Sequence, residues 1–200
     1  MPETTDRLTE AEYLVRERAA EYRSEYRGGR MVAMTGASRA HNVILLNLAR
    51  EVSAQLRGRP CEAYVNDMRV KVAPAGLYTY PDLVVVCGEP AFEDATLDTL
   101  LNPEVIVEVL SPSTEAYDRG EKFAYYRRLE TLREYVLIAQ DRLRVERFVR
   151  EAADPDHWRL SELSQPDASL ELATIGCAVP LREIYERVTV PPAAGPPRRD

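Results

Sequence analysis

Two carboxylates set in apolar runs, and one lysine in a chain that rarely uses lysine, are the residues able to do chemistry. Asp82 follows Tyr80-Pro81 and opens Leu83-Val84-Val85-Val86, and Glu108 lies inside Val105-Ile106-Val107-Glu108-Val109-Leu110. Of 26 Lys and Arg residues only two are lysines, and one, Lys122, closes Asp118-Arg119-Gly120-Glu121-Lys122 just downstream. A carboxylate in the middle of an apolar run is costly to bury unless a cation neutralises it. Two hard oxygen donors on neighbouring strands, with other positions left to water and phosphate, suit Mg²⁺, and Mn²⁺ as a substitute. An ammonium is a compact point charge with a movable pKa, which a guanidinium is not. The expected chemistry is metal-assisted hydrolysis of a phosphodiester.

Each residue also has a plainer reading. Asp82 after a proline fits a turn, whereas Glu108 in mid-strand needs a partner. Asp118 with Glu121 forms a capping box for the next helix. Lys122, Tyr125, Tyr126 and Leu129 then fall on one helical stripe, which would turn Lys122 inward and make Tyr126 a packing residue or a hydrogen-bond donor to the site. His41, near a helix start, reads as a structural hydrogen-bonding residue. Ser111-Pro112-Ser113-Thr114 is a strand-to-helix loop. It does not suggest a serine hydrolase, because the histidines are only His41 and His157 and no GxSxG elbow exists. A glycoside hydrolase with paired carboxylates would need sugar-stacking aromatics near the acids, yet the one tryptophan, Trp158, lies well downstream.

The elements that must position these residues follow from periodicity. Thr9 with Glu12 caps a helix over 9–21. Residues 22–27, Gly28-Gly29 and 30–34 form a hairpin. Ser38 opens a helix to about Leu56, with Val43, Leu46 and Ala49-Arg50 as its periodic positions. Strands follow at 61–65, 68–72, 83–87 and 105–110, then a helix over 119–129, strands at 134–139, 143–149 and 158–163, and a last helix over 181–187. On the strand holding Glu108, Glu104, Ile106 and Leu110 share its face and Val105, Val107 and Val109 take the other. The order predicts an α/β or α+β fold around a mixed sheet. A flexible start at 1–8, a single domain over 9–188 and a disordered Pro-rich tail over 189–200 complete the organisation.

Bulk properties bound the function. At 45% hydrophobic content, 200 residues can build a real core. The charge of −7 argues against a protein that coats DNA non-specifically. Residues 116–150 nevertheless carry nine cations against six anions, either a solvated face or a phosphate-facing one. Neither a secretory signal nor an apolar stretch of membrane-spanning length is present. Cys61, Cys87 and Cys177 are odd in number and lack CxxC spacing, which predicts neither structural zinc nor a disulfide framework and places the chain in the cytoplasm.

Two strings carry a resemblance: Y-P-D-L-V-V-V-C-G from Tyr80, and N-P-E-V-I-V-E-V-L-S-P-S-T-E-A-Y-D-R-G-E-K-F-A-Y-Y from Asn102. With Ser24-Glu25-Tyr26, Gly36-Ala37-Ser38, His41 and Glu134-Tyr135-Val136-Leu137, they resemble the Uma-type putative restriction endonuclease family of the PD-(D/E)xK nuclease superfamily, over roughly residues 10–187. The resemblance implies a restriction-endonuclease-like fold: a mixed central sheet flanked by helices, with an N-terminal helix and hairpin. It implies Mg²⁺ at Asp82 and Glu108, with Glu25 as a further acidic ligand, and hydrolysis of nucleic acid, DNA in the first place. The chain departs from the superfamily motif at Leu110, where a lysine is expected, and Lys122 supplies the ammonium instead. Cleavage of both strands by one site per chain implies a homodimer. The alternative is a catalytically idle member of the same fold that binds nucleic acid or dimerises.

Overall fold

The Thr9 hydroxyl accepts from the Glu12 N–H, and the Glu12 carboxylate accepts from the Thr9 N–H at 2.8 Å, so the capping box starts α1 (Glu10–Ala19) as its sequence predicts. The protein is represented by a computed structural model that describes residues 7–190. The expectations for residues 1–6 and 191–200 lie outside the described residues. Leu8 is tied to the hairpin, its N–H donating to the Gly29 carbonyl at 2.9 Å.

Gly28 and Gly29 take φ of +52° and +96°, so β1 (Ser24–Arg27) reverses into β2 (Arg30–Ala33) with Arg27 opposite Arg30. Two positive φ values match the twist of the flanking strands, and only glycine adopts them freely. Next come α2 (Arg39–Leu56), capped by Ser38, then β3 (Cys61–Val65), β4 (Arg69–Val72), β5 (Leu77–Thr79), β6 (Leu83–Cys87), β7 (Thr99–Leu100) and β8 (Val105–Leu110). A helical run over 115–126 consists of α3 (Glu115–Tyr117), a π turn (Asp118–Lys122) and α4 (Phe123–Tyr126). The chain ends with β9 (Glu134–Ala139), β10 (Val145–Arg150), β11 (Trp158–Leu163), β12 (Ser169–Leu172), β13 (Cys177–Pro180) and α5 (Leu181–Ile184).

The α+β class is as expected, with a six-stranded mixed central sheet ordered β11-β10-β9-β8-β6-β3. Two further sheets accompany it: β2-β1-β5-β4-β7, which takes in the hairpin, and β12-β13. Strand alternation divides the core. Leu83, Val85, Val105, Val107, Val109, Val136 and Ile138 pack with Ile44, Leu45, Leu48, Val52 and Leu56 of α2. Val84, Val86, Ile106, Leu110, Tyr135 and Leu137 pack on the opposite face, with Val70, Val72 and Leu77 of the second sheet and with Tyr126 and Leu129. Glu108 shares that second face.

Four expectations need correction. The buried face of α2 is Ile44, Leu45, Leu48 and Val52, while Leu46 is 69% exposed; four apolar residues in a row, Val43 to Leu46, conceal the helical phase. The helix expected at 119–129 begins at Glu115 and ends at Tyr126. As a result Asp118 is no cap: it has helical φ −63° and ψ −38° within the run and is buried. The short strands β5, β7, β12 and β13 lacked an alternating pattern long enough to read.

The fourth correction concerns the cysteines. Cys61 and Cys87 lie opposite one another on β3 and β6 and form a disulfide, so spacing along the sequence missed a pair that strand register creates. The bond closes a loop of 26 residues and fastens β3, an edge strand, to its neighbour β6. Reduction by a dithiol is expected to lower the unfolding free energy by roughly 2–4 kcal/mol. Urea denaturation with and without the reductant measures this, and coincident curves would exclude a stabilising bond.

Candidate active site

The site forms where the chain crosses between sheets. β5 ends at Thr79 in the second sheet, Tyr80-Pro81-Asp82 make the passage, and β6 begins at Leu83 in the central sheet. The antiparallel β6–β8 register, Leu83 opposite Val107, sets Asp82, just before β6, against Glu108 within β8. On the other side, Tyr26 opposite Tyr78 sets Glu25 beside Thr79. The π turn admits one extra residue per turn, and within it Asp118 and Lys122 both face inward and are buried.

Lys122 is 4% exposed and lies among three carboxylates. Its Nζ is 2.7 Å from Glu108 Oε1, 3.4 Å from Glu25 Oε1 and 3.5 Å from Asp118 Oδ1. Burial alone would lower its pKa, but Glu108, Glu25 and Asp118 together push it well above the usual lysine range. Tyr126 donates its hydroxyl to the same Glu108 Oε1 at 2.9 Å. Asp82 accepts twice: Oδ2 from the Val109 N–H at 2.6 Å, and Oδ1 lies 3.0 Å from His41 Nε2 at the start of α2. Glu25 accepts from the Thr79 hydroxyl on Oε1 and from Arg27 Nε at 2.9 Å on Oε2.

The electrostatics are unbalanced. Burial raises Glu108 well above the ordinary carboxylate range, and the charges of Asp118 and Asp82 add to it against Lys122. Asp118 is raised for the same first reason. Glu25 goes the other way: Lys122, Thr79 and Arg27 outweigh its burial and hold it low. His41 is raised because the Asp82 hydrogen bond overcomes desolvation. Glu108, Glu25 and Asp118 thus face one buried ammonium, and three carboxylates against a single cation favour an added proton or cation.

This donor set fits a divalent ion. Asp82 and Glu108 provide hard oxygens from adjoining strands, and both line a cavity of about 460 Å³ with room for water and a phosphate group. Among the described residues no three His, Cys, Asp or Glu side chains converge as a complete metal cage. Mg²⁺ does not require one, since it commonly takes one or two carboxylates and keeps its waters.

Of the residues singled out from sequence, Asp82, Glu108, Lys122, Glu25, Asp118 and His41 all line this cavity, and Tyr126 reaches it through Glu108. Leu110 packs in the core, and Lys122 stands beside Glu108 in its stead. Thr79, Arg27 and Tyr117 went unrecognised. Only a β1–β5 pairing could have pointed to Thr79, and β5 is three residues long. Of the nine cations in residues 116–150, Arg119, Arg142, Arg144 and Arg147 pair with Glu115, Glu134, Asp141, Glu146 and Glu162, and Lys122 lies in the site, while Arg127, Arg128, Arg133 and Arg150 make no ion pair among the described residues.

The architecture matches the crystal structure of a putative nuclease from Anabaena variabilis ATCC 29413, with a TM-score of 0.73 at 17% identity, covering 89% of this chain and 97% of that one. The two chains therefore share a fold. The family model described as Uma2, putative restriction endonuclease, matches residues 10–182, and the chain belongs to that family. Two uncharacterized proteins of Synechocystis sp. (strain ATCC 27184 / PCC 6803 / Kazusa) are also similar. One is 39% identical over 170 residues, 85% of this chain and 95% of the relative, and the other 34% over 179 residues, 90% and 92% respectively.

Proposed function

We propose that the protein is a Mg²⁺-dependent endonuclease that hydrolyses phosphodiester bonds of DNA, with Mn²⁺ able to substitute. The observation that supports this best is the opposed Asp82–Glu108 pair at the seam of two sheets, with the Lys122 ammonium 2.7 Å from Glu108. Asp82 and Glu108 would hold the ion, and Glu25 stands as a further acidic group behind Lys122. When bound, the ion would polarise the scissile phosphate and lower the pKa of attacking water. His41 and the Val109 N–H fix the Asp82 carboxylate, so its donor atoms do not have to be ordered during reaction. Tyr126 and Lys122 do the same for Glu108, and Lys122 keeps a positive charge beside the reacting group.

Double-strand cleavage by one site per chain calls for a homodimer. DNA as substrate puts the work in the cytoplasm, although the Cys61–Cys87 bond is of a kind rare there. Among the described residues no helix is long and apolar enough to cross a membrane. The test is incubation with supercoiled plasmid, single-stranded DNA and RNA in Mg²⁺, Mn²⁺ or EDTA. Linear plasmid with Mg²⁺ and none in EDTA is the expected result, and nicked circles alone would argue against paired chains. Binding without cleavage under every condition would leave the idle module as the better reading.

A further inference from the structure

Lys122 is poorly placed to contact a substrate phosphate. An ammonium has three donors, and all three have carboxylates within 3.5 Å, in a side chain that is only 6% exposed. If Glu108 turned to a metal ion, Glu25 and Asp118 would still face it. His41 is likewise engaged with Asp82. The remaining cation among the cavity-lining residues is Arg27. Its Nε and Nη2 both meet the single oxygen Glu25 Oε2, and among the described residues Nη1 has no hydrogen-bond partner. Five N–H groups serve a guanidinium, so more than half of its fork is free. The side chain is 28% exposed, and its guanidinium carbon lies 3.6 Å from the centroid of the Tyr117 ring, which also lines the cavity. Stacking and the Glu25 contact fix the plane of the guanidinium. The Tyr117 hydroxyl is itself buried with no partner among the described residues.

We infer that Arg27 and Tyr117 form a phosphate subsite beside the Asp82–Glu108 pair, which takes a phosphodiester oxygen of the nucleic acid on the free side of the guanidinium. The inference rests on the nuclease reading and assigns the direct contact with substrate charge to Arg27, while Lys122 holds the acids in place. A planar, preorganised fork suits a phosphate better than a mobile ammonium does. The Gly28-Gly29 turn immediately after Arg27 anchors the strand end that presents it.

Fluorescence anisotropy of an end-labelled DNA duplex in EDTA, across a salt series, reads binding without cleavage. Arg27→Ala should weaken binding about tenfold, the scale of one charge-assisted contact, and reduce the salt slope by about 0.9, one phosphate. Arg27→Lys keeps the charge without the fork, so it should restore the slope but only part of the affinity. Arg30→Ala removes the same charge from the exposed residue across the turn and should leave both near native. Circular dichroism melts check that Arg27→Ala is folded, and if it is not, the Arg27→Lys result decides. If the native chain binds and a folded Arg27→Ala matches it in affinity and slope, the subsite is wrong and the nuclease reading stands. If the native chain binds no duplex or single strand in EDTA and cuts none with Mg²⁺, both fall together.

Discussion

Lys122→Met is expected to abolish cleavage and, in the absence of metal, to destabilise the fold. Loss of one charge-stabilising group from a preorganised site costs roughly 10²–10³ in rate. The stability effect follows from the neighbours. Glu108, Asp118 and Glu25 are 4%, 3% and 4% exposed, and Lys122 is the cation that faces all three. Removing one partner of a buried ion pair typically costs about 3–5 kcal/mol, because the other charge is left uncompensated. A methionine would fill the volume and leave that problem in place. Divalent metal should therefore raise the melting temperature of the variant more than that of the native protein, since binding to the folded state supplies the missing positive charge. Lys122→Arg should also lose most activity, because a planar guanidinium does not fit a pocket shaped round a point charge. Thermal melts in EDTA and in Mn²⁺, together with plasmid cleavage, measure both effects. A Lys122→Met protein with native cleavage and native stability would remove any special role for this lysine.

The site was legible in sequence where chemistry conflicts with burial. Glu108 stood out because an acid in a six-residue apolar strand demands a partner, and Lys122 because the chain writes its other cations, Lys71 apart, as arginine. Asp118 was misread because its neighbours match a capping box, and only the earlier start of the helix at Glu115 turns it inward. His41 and Tyr126 could be named without their partners being foreseen, since the contacts to Asp82 and Glu108 depend on how α2 and α4 dock. The same holds for much of the fold. Gly28-Gly29 and the Thr9 box are local signals and formed as expected. The Cys61–Cys87 pair, the three-residue β5 and the division into separate sheets arise from strand register across distant segments, which no local window contains. Arg27 belongs to this second kind: its importance is visible only once Glu25, Tyr117 and the cavity are in place.

Glu108→Gln should separate function from stability in the opposite sense to Lys122→Met. The amide keeps the size and one acceptor for the Tyr126 hydroxyl, which lies 2.9 Å from Oε1. It removes one of the three carboxylates within 3.5 Å of Lys122, while Glu25 and Asp118 continue to face the ammonium. Burial raises the pKa of Glu108 well above the ordinary range. A group whose folded pKa exceeds its unfolded value contributes stability that is fully present below the unfolded value and is lost as pH rises through the folded one. The native protein should therefore weaken as pH climbs out of the ordinary carboxylate range, and the glutamine variant should weaken less. At neutral pH its unfolding free energy should be unchanged or higher by up to about 2 kcal/mol, as is common where a strained functional group is relaxed. Cleavage should fall at least on the order of 10²–10³-fold, because a neutral amide replaces a charged hard-oxygen donor at the ion site. Urea titrations at several pH values and plasmid cleavage in Mg²⁺ read the two effects independently. A variant that cuts at the native rate, or that loses well over 2 kcal/mol, would mean that Glu108 is kept for the ion pair with Lys122 and holds no metal.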